Sequence, residues 1–242
     1  RDDPGQAGRW SARYSYWPVG SYRVLTQVLY GNSLGSAARH TLTLDYVDRY
    51  LGMPSKYQPI TITVRAGQTG EVIWRYGLGY GYVADRYVLT QVVKIAADGA
   101  RMPATTFDYT SACIDGASPC KTATLMTRVS NGYGGAVEYA FEPGPSANAA
   151  ERRVMAEATL DGATTTAVRT FEYAQPCKNE NNAVCRTYHD SGPSGYLMGY
   201  GVVTETARDS ANTALRITAH QYHVDALRLG MEGASVTLDP AG

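Results

Sequence analysis

The sequence Val24-Leu25-Thr26-Gln27-Val28 occurs twice in this chain of 242 residues, the second time at residues 88–92. Turn-prone residues follow each copy, and then an apolar run ends in an acid and a tyrosine, as Leu44-Asp45-Tyr46 and as Phe107-Asp108-Tyr109. Val88 lies 64 positions after Val24, and Phe107 lies 63 positions after Leu44. The unit therefore recurs almost in register. A repeated strand–turn–strand unit buries its apolar face against its neighbours, which predicts an array rather than a compact enzyme.

Further units match the pattern without sharing its exact residues. Three later hairpins pair residues 125–129 with 137–141, 154–158 with 169–173, and 202–206 with 217–222. An extra hairpin, residues 60–64 with 72–76, lies between the first two copies. Asp98-Gly99, Asn131-Gly132 and Asp161-Gly162 supply turns that need a positive φ.

We therefore predict an all-β fold, an array of stacked antiparallel β-hairpins that forms an extended, curved sheet. Residues 1–242 form one array, with a joint at residues 143–153, where prolines precede a short segment of helical propensity. Alternation in the return strands places one aromatic or aliphatic set on the inner face, namely Leu44, Tyr46, Phe107, Tyr109, Phe171 and Tyr173. It places Asp45, Asp108 and Glu172 on the outer face. The stretch from Tyr76 to Tyr82, which alternates with glycine, predicts an irregular connection or a bulged strand.

Composition narrows the functional classes. The formal net charge is zero, which argues against nucleic acid as a partner. No apolar run reaches the roughly 18 residues of a membrane helix, so we expect no membrane insertion by this segment. Charged residues make up 18% and tyrosines outnumber phenylalanines 19 to 3, as suits wide sheet faces of mixed polarity. The chain starts at Arg1, which we interpret as a processed product or a piece of something longer.

Four cysteines form two close pairs in the sequence. Cys113 and Cys120 bracket one short polar loop, and Cys177 and Cys185 bracket another. Four cysteines allow three connectivities, and we predict a disulfide within each bracket, which implies an oxidising compartment. Free thiols are one alternative, and a metal site formed by Cys177, Cys185 and His189 is the other, although it lacks the tight spacing of common zinc sites. We predict neither a metal nor a cofactor.

The repeated hairpins with their aromatic–acid endings resemble the YD-repeat, or Rhs, family. Residues 87–109, with their LTQV start, Asp-Gly turn and Phe-Asp-Tyr end, resemble the region before the repeats in Rhs proteins and in the B component of insecticidal Tc toxins. Two more segments carry this resemblance, residues 200–206 and 221–223, and residues 237–242 resemble the turn that opens another repeat.

The resemblance implies a structural role. Such proteins resemble a hollow shell, wound from a long β-sheet, that encloses a C-terminal effector, often a toxin. This chain would be a non-catalytic wall segment of an extracellular or cell-surface protein, and its partner would be the remainder of the shell polypeptide. No residues here match the family's self-cleaving aspartate site.

Two other functional classes remain open. A β-sandwich adhesin or carbohydrate-binding module would use a concave cluster of exposed rings, and the candidates are Trp10, Tyr14, Tyr16, Trp17, Trp74, Tyr76, Tyr80 and Tyr82. An enzyme is the third class, with His223 and Asp225 as a conceivable base and its orienting acid, although no nucleophile motif accompanies them. We expect His220 to be a packed ring at an aromatic position, and His40 and His189 to be solvated.

Overall fold

The computed structural model describes residues 11–19, 22–31, 40–48, 57–67, 70–83, 86–113, 122–143, 152–178, 197–222 and 232–240. These residues form fourteen β-strands and no helix. The strands are β1 Ser11–Val19, β2 Tyr22–Gly31, β3 His40–Asp48, β4 Tyr57–Ala66, β5 Val72–Val83, β6 Arg86–Ala96, β7 Thr105–Cys113, β8 Thr122–Ser130, β9 Gly135–Pro143, β10 Arg152–Asp161, β11 Thr164–Lys178, β12 Leu197–Asp209, β13 Ala214–Tyr222 and β14 Glu232–Leu238.

The strands form one open antiparallel sheet in which each strand pairs with the next along the chain. Among the described strands, β1 and β14 therefore lie at the two edges of the sheet. The sheet confirms the predicted all-β fold, and every predicted hairpin falls on two consecutive strands.

The two copies of the exact repeat form the same hairpin. Gln27 pairs with Thr43 and Val28 with Leu42 in the first copy. In the second copy, the pairs are Gln91 with Thr106 and Val92 with Thr105. Each residue of the opening strand lies 64 positions after its counterpart in the first copy, and each residue of the return strand lies 63 positions after its counterpart, as the sequence offsets require. The repeat therefore preserves register as well as sequence.

Two of the predicted turns show why they contain glycine. At the end of β6, the Ala96 amide donates to the Ala100 carbonyl over 2.8 Å, and Gly99 takes a φ of 92°. Between β10 and β11, Gly162 takes a φ of 60°. Residues with a Cβ rarely adopt these values, so the glycines close the hairpins without strain.

The chain forms two compact units, Arg1–Gly81 with Tyr87–Thr106, and Tyr82–Arg86 with Phe107–Gly242. In the first unit the most buried side chains include Leu29, Val64 and Thr41. The hydroxyl of Thr41, a fully buried side chain, donates to the Gly67 carbonyl over 2.6 Å. Its only polar group is thus satisfied, as burial demands.

In the second unit the buried residues include Ala136 and Thr218. The Thr218 hydroxyl lies 3.2 Å from that of Thr237 on the neighbouring edge strand. Few side chains in the described part of either unit are fully buried, because a single sheet layer leaves much of both faces half-covered.

The predicted alternation of the return strands is confirmed. Leu44, Tyr46, Phe107, Tyr109, Phe171 and Tyr173 are half-buried, whereas Asp45, Asp108 and Glu172 are exposed. Most of the predicted joint at residues 143–153 lies outside the described residues, so the joint stays a prediction.

Candidate functional site

The aromatic residues predicted for binding fall into two groups. Trp17 in β1 and Tyr82 near the end of β5 are 58% and 61% exposed. Trp74, Tyr76 and Tyr80 in β5 are half-buried. Trp10 lies outside the described residues, so the structure does not place the predicted cluster as a whole.

Strand β5 has two chemically different faces. Trp74, Tyr76 and Tyr80 alternate with residues that include Gly77 and Gly79, so the rings lie on one face and the glycines on the other. Of the two predicted alternatives, the irregular connection is wrong, because this stretch lies within a strand that continues to Val83, and the bulged strand stays a prediction. The glycine face is occupied by side chains of β6.

Close approach to β6 explains these glycines. A Cβ at Gly79 would lie 3.2 Å from Gln91 Cβ, and one at Gly81 would lie 2.9 Å from Thr90 Cγ2. The missing side chains let the β6 residues rest directly on the β5 backbone. Glycine here serves packing and does not interrupt the strand.

The half-buried rings of β5 are engaged within the sheet. The Lys94 ammonium lies 4.6 Å from the centre of the Trp74 ring, within the range of a cation–π contact. The Tyr80 hydroxyl donates to the Pro59 carbonyl on β4 over 2.9 Å. Trp74 and Tyr80 therefore pack on neighbouring strands. The Trp74 indole nitrogen is buried without a hydrogen-bond partner.

A β-bulge sorts the exposed rings of β1. Tyr14 lies opposite Val28 and Trp17 opposite Val24, two positions of β2 that share a face. Tyr16 lies opposite Leu25, on the other face. The bulge between Ser15 and Tyr16 causes this arrangement, and the Thr26 hydroxyl donates to the Ser15 carbonyl over 3.2 Å beside it. Without the bulge, Trp17 would share a face with Ser15 instead of Tyr14.

Tyrosine hydroxyls close three of the hairpins. Tyr46 donates to the Leu25 carbonyl and Tyr173 to the Val154 carbonyl, each over 2.6 Å. Tyr80 makes the same kind of bond to β4, as described above. In each case the tyrosine belongs to the return strand, and the carbonyl belongs to the opening strand of the same hairpin. Burial raises the pKa of the Tyr46 and Tyr173 hydroxyls above the ordinary value of 10.0.

Arg153 joins four strands of the second unit. Its Nε donates to Glu142 over 2.6 Å and its Nη1 donates to the Tyr200 hydroxyl over 3.1 Å. The guanidinium carbon lies 4.8 Å from the Tyr173 ring centre and 5.3 Å from that of Tyr200. Burial alone would lower the pKa of Arg153, but Tyr200 and Glu142 outweigh it and raise that pKa. The cluster links the four strands from β9 through β12, and the raised pKa keeps the arginine charged.

A second set of charges crosses β10 to β14, and we call it the charge ladder. Its members are Glu157, Arg169, Glu205, Arg216, His220 and Glu232. Arg169 forms an ion pair with Glu157 and lies 3.9 Å from Glu205. Glu205 also lies 3.6 Å from Arg216 and 4.0 Å from His220. Only 13% of the Glu205 side chain is exposed, so it is the most buried member of the ladder.

The ladder reaches the edge strand through another bulge. Tyr222 pairs with Glu232 and Gln221 with Ala234, so Gly233 is the extra residue. The bulge turns Glu232 to the face of His220, where its carboxylate lies 3.1 Å from His220 Nδ1. Neither the Arg153 cluster nor the ladder was predicted. No linear motif marks them, because their members come from different strands and meet only once the register is fixed.

The histidines take different roles from those expected. His220 is packed, as predicted, but its ring lies between two carboxylates. The expectation that His40 is solvated is wrong. It is half-buried, its ring centre lies 5.1 Å from that of Tyr30, and its Nδ1 is buried without a partner. His189 and His223 lie outside the described residues.

The other predicted sites can be followed only in part. Cys113 is disulfide-bonded, and it is the only cysteine whose side chain is described. The pairings Cys113–Cys120 and Cys177–Cys185 therefore stay predictions. Among the described residues, no three His, Cys, Asp or Glu side chains are grouped so that they could hold a metal ion. No helix in that part of the chain could cross a membrane.

Comparison with known proteins leaves the family open. No family model matches the sequence, and no curated protein sequence matches it. Among solved structures, the chain is similar to the N-terminal domain of the effector protein SpvB from Salmonella typhimurium strain LT2, at 10% identity and a TM-score of 0.36, over 93% of this chain and 97% of that one. It is also similar to a porin-like protein from Bacteroides uniformis ATCC 8492, at 14% identity and a TM-score of 0.32, over 94% and 88%. At these scores neither likeness identifies a family or a function.

Proposed function

We propose that this chain is a non-catalytic structural segment of an extracellular shell protein of the YD-repeat, or Rhs-like, type, which encloses or displays a C-terminal effector. The observation that carries the proposal is the preserved register of the exact repeat, in which Gln27 pairs with Thr43 and Gln91 with Thr106. A hairpin that recurs in register is a building unit, and its repetition extends a wall.

The polar contacts of the described residues support this role. The tyrosine bonds of Tyr46 and Tyr173, the Arg153 cluster and the charge ladder all join neighbouring strands. Nucleophilic catalysis would need a nucleophile, a base and an orienting group turned toward one cavity. Here the side chains whose pKa values are shifted hold neighbouring strands together, as expected of a wall.

The test of the proposal uses the full-length protein as its cells produce it. Fractionation should place it outside the cytoplasm, and electron cryomicroscopy should show the hairpin array as part of the wall of a closed cavity with density inside. A native protein in which the array stands free, with no enclosed cavity, would overturn the shell role.

A binding module is the second candidate, and the exposed rings of β1 favour it. Tyr14 and Trp17 are 56% and 58% exposed and share a face. Flat aromatic faces stack on sugar rings, so glycans are the ligand class that such a pair fits. Glycan-array binding that is lost in Trp17→Ala but kept in Trp74→Ala, the matched half-buried tryptophan, would favour this candidate. An array with no bound glycan would eliminate it.

A further inference from the structure

The turn between β8 and β9 holds the side chain of Asn131 by its oxygen. Oδ1 of Asn131 accepts hydrogen bonds from the backbone N–H of Tyr133 over 2.8 Å and from that of Gly135 over 3.0 Å. The Asn131 backbone N–H donates to the Gly135 carbonyl over 2.9 Å and closes the turn. Both partners of the side chain are donors, so the oxygen of the carboxamide must face them, and its nitrogen must point away.

The residue after Asn131 is a glycine, and Asn131-Gly132 is the only Asn-Gly pair in the sequence. Both residues are exposed to solvent, and Gly132 takes a φ of 75°. The backbone nitrogen that follows an asparagine can attack the side-chain carbonyl carbon and close a succinimide ring. Glycine hinders this attack least, because it has no Cβ. The turn therefore combines a reactive pair with free access of water.

The two donors lie where this attack would develop charge. When the Gly132 nitrogen bonds to Asn131 Cγ, the negative charge of the tetrahedral intermediate falls on Oδ1. Donors that stabilise such an oxyanion lie about 2.7–3.1 Å from it. The contacts to Tyr133 and Gly135, at 2.8 and 3.0 Å, are within that range. The turn thus has the geometry of an oxyanion hole.

Gly135 gives the carboxamide its place in the turn. A Cβ at Gly135 would lie 2.6 Å from Asn131 Nδ2, 3.3 Å from Cγ and 3.4 Å from Oδ1. A side chain at this position would therefore displace the carboxamide from the two N–H groups. The absence of a Cβ at Gly135 is thus part of the arrangement that holds Oδ1.

The turn between β12 and β13 shows that an aspartate fits the same position. Oδ1 of Asp209 accepts from the backbone N–H of Ala211 over 2.9 Å and from that of Thr213 over 2.8 Å. The Asp209 backbone N–H donates to the Thr213 carbonyl over 3.0 Å. These are the bonds that Asn131 makes, with the same spacing along the chain. A carboxylate at position 131 would keep both N–H donors and would bind them more strongly than an amide oxygen does.

We propose that Asn131 is a self-modification site, at which the turn promotes deamidation to aspartate. The Gly132 nitrogen gives its proton to a solvent base and bonds to Asn131 Cγ. The Cγ–Nδ2 bond then breaks, and the nitrogen takes up a proton and leaves as ammonia. Water adds to the succinimide at Cγ, the Cγ–N bond breaks, and a proton returns to the Gly132 nitrogen. One water is consumed and one ammonia is released, with no oxidation or reduction.

The same donors would select the product. Water can add to a succinimide at Cγ, which gives aspartate, or at the main-chain carbonyl carbon of residue 131, which gives isoaspartate. The N–H groups of Tyr133 and Gly135 face the oxygen on Cγ, so they activate Cγ for the second step as well as the first. Isoaspartate would lengthen the main chain inside a closed turn. The site is independent of the shell role, since it needs only this hairpin.

The test incubates the whole protein at mildly alkaline pH, once folded and once unfolded in urea. Peptide mapping by mass spectrometry then distinguishes asparagine, aspartate and isoaspartate at position 131. The folded protein should convert at least as fast as the unfolded one and should yield chiefly aspartate, whereas the unfolded chain should yield chiefly isoaspartate. Slower conversion in the folded protein, or the same ratio of products in both states, would overturn the proposal.

Two variants make the test specific. Gly135→Ala should slow conversion of the folded protein by about tenfold, less than the loss of an oxyanion-hole donor costs an enzyme, and should raise the share of isoaspartate. It should leave the unfolded rate unchanged, because residue 135 takes no part in the ring closure. The variant should fold, because the three atoms nearest to the new Cβ all belong to the Asn131 side chain, which can move. Tyr133→Phe, at a side chain that is 70% exposed, keeps both N–H donors and should behave as the wild type. A folded Gly135→Ala protein that reacts like the wild type would exclude the oxyanion hole.

Discussion

The hydroxyl of Tyr46 donates a hydrogen bond of 2.6 Å to the main-chain carbonyl of Leu25, across the hairpin formed by β2 and β3. Leu25 belongs to the first copy of the exact repeat, and Tyr46 ends the same unit. The opening strand and the closing tyrosine of the first copy are thus in direct contact. Tyr173 and Val154 repeat the contact in the hairpin of β10 and β11.

Removing this bond should destabilise the fold modestly. Tyr46→Phe keeps the ring but leaves the half-buried Leu25 carbonyl without the phenol, so we expect a loss of about 1 kcal/mol in the free energy of unfolding. Urea titration measures it. Tyr14→Phe is the matched control, because that tyrosine is 56% exposed and should change stability by less than about 0.5 kcal/mol. Equal effects in the two variants would mean that the bond contributes nothing.

Phe107 should contribute less than a fully buried phenylalanine would. Truncating a buried phenylalanine to alanine costs about 3–5 kcal/mol, but Phe107 is only half-buried in the sheet. We expect Phe107→Ala to cost about 2 kcal/mol, measured by thermal or urea unfolding. Asp108→Ala, the next residue on the exposed face, should be nearly neutral. A cost for Phe107→Ala as small as that for Asp108→Ala would contradict the inward position of the Phe107 ring.

The sequence repeat was enough to predict much of the fold. The offsets between the two copies predict that Gln91 pairs with Thr106 if Gln27 pairs with Thr43, and both pairs are present. Alternation placed Tyr46 and Asp45 on opposite faces, since successive residues of a strand point in opposite directions. These inferences succeeded because they depend only on local spacing.

The cross-strand clusters could not be predicted in the same way. A single extra residue, such as Gly233, inverts which side chains share a face. Glu232 meets His220 only because of that bulge, and Arg153 meets Tyr200 only because their strands lie two apart in the sheet. The expectation of an irregular connection in the Gly-Tyr stretch failed for a related reason, because its glycines make room for side chains of the neighbouring strand β6.

Gly70 should be intolerant of any side chain. A Cβ at this position would lie 1.7 Å from the Ala66 carbonyl oxygen, so the main chain itself would have to move. We expect Gly70→Ala to cost about 2 kcal/mol or more. Gly77→Ala is the control, since its Cβ would meet Ile95 Cδ1 at 3.7 Å, an ordinary contact. Urea unfolding of the two variants compares the positions, and a Gly70→Ala protein as stable as Gly77→Ala would contradict the close approach.

Alkaline pH should lower the stability of the protein through its half-buried tyrosines. The pKa values of Tyr46 and Tyr173 are raised above 10.0, chiefly by burial. The folded state therefore holds these protons more tightly than the unfolded state. This contribution to stability is fully present below pH 10 and is lost as the pH rises through the folded-state pKa values. Urea unfolding between about pH 9 and 12 should show the decline.

Phenylalanine variants identify the groups responsible for that decline. The double variant Tyr46→Phe and Tyr173→Phe should be less stable at neutral pH but should lose less stability above pH 10. Tyr133→Phe, at a tyrosine that is 70% exposed, should follow the wild-type profile. Profiles of the same steepness in wild type and double variant would exclude the two hydroxyls as the cause.

Glu205 should be the most sensitive member of the charge ladder, because it lies near Arg169, Arg216 and His220 and only 13% of its side chain is exposed. Glu205→Gln removes the central negative charge, so the cationic groups on both sides lose the carboxylate that they share. Exposed ion pairs contribute about 0–1 kcal/mol each, so we expect a loss of about 1–2 kcal/mol that shrinks as salt screens the remaining repulsion. Glu172→Gln, at an exposed acid on the opposite face of β11, should cost nothing measurable.

A double-mutant cycle of Glu205→Gln with Arg169→Gln should show coupling between the two positions. Strictly additive effects would mean that the 3.9 Å approach of their side chains contributes no energy.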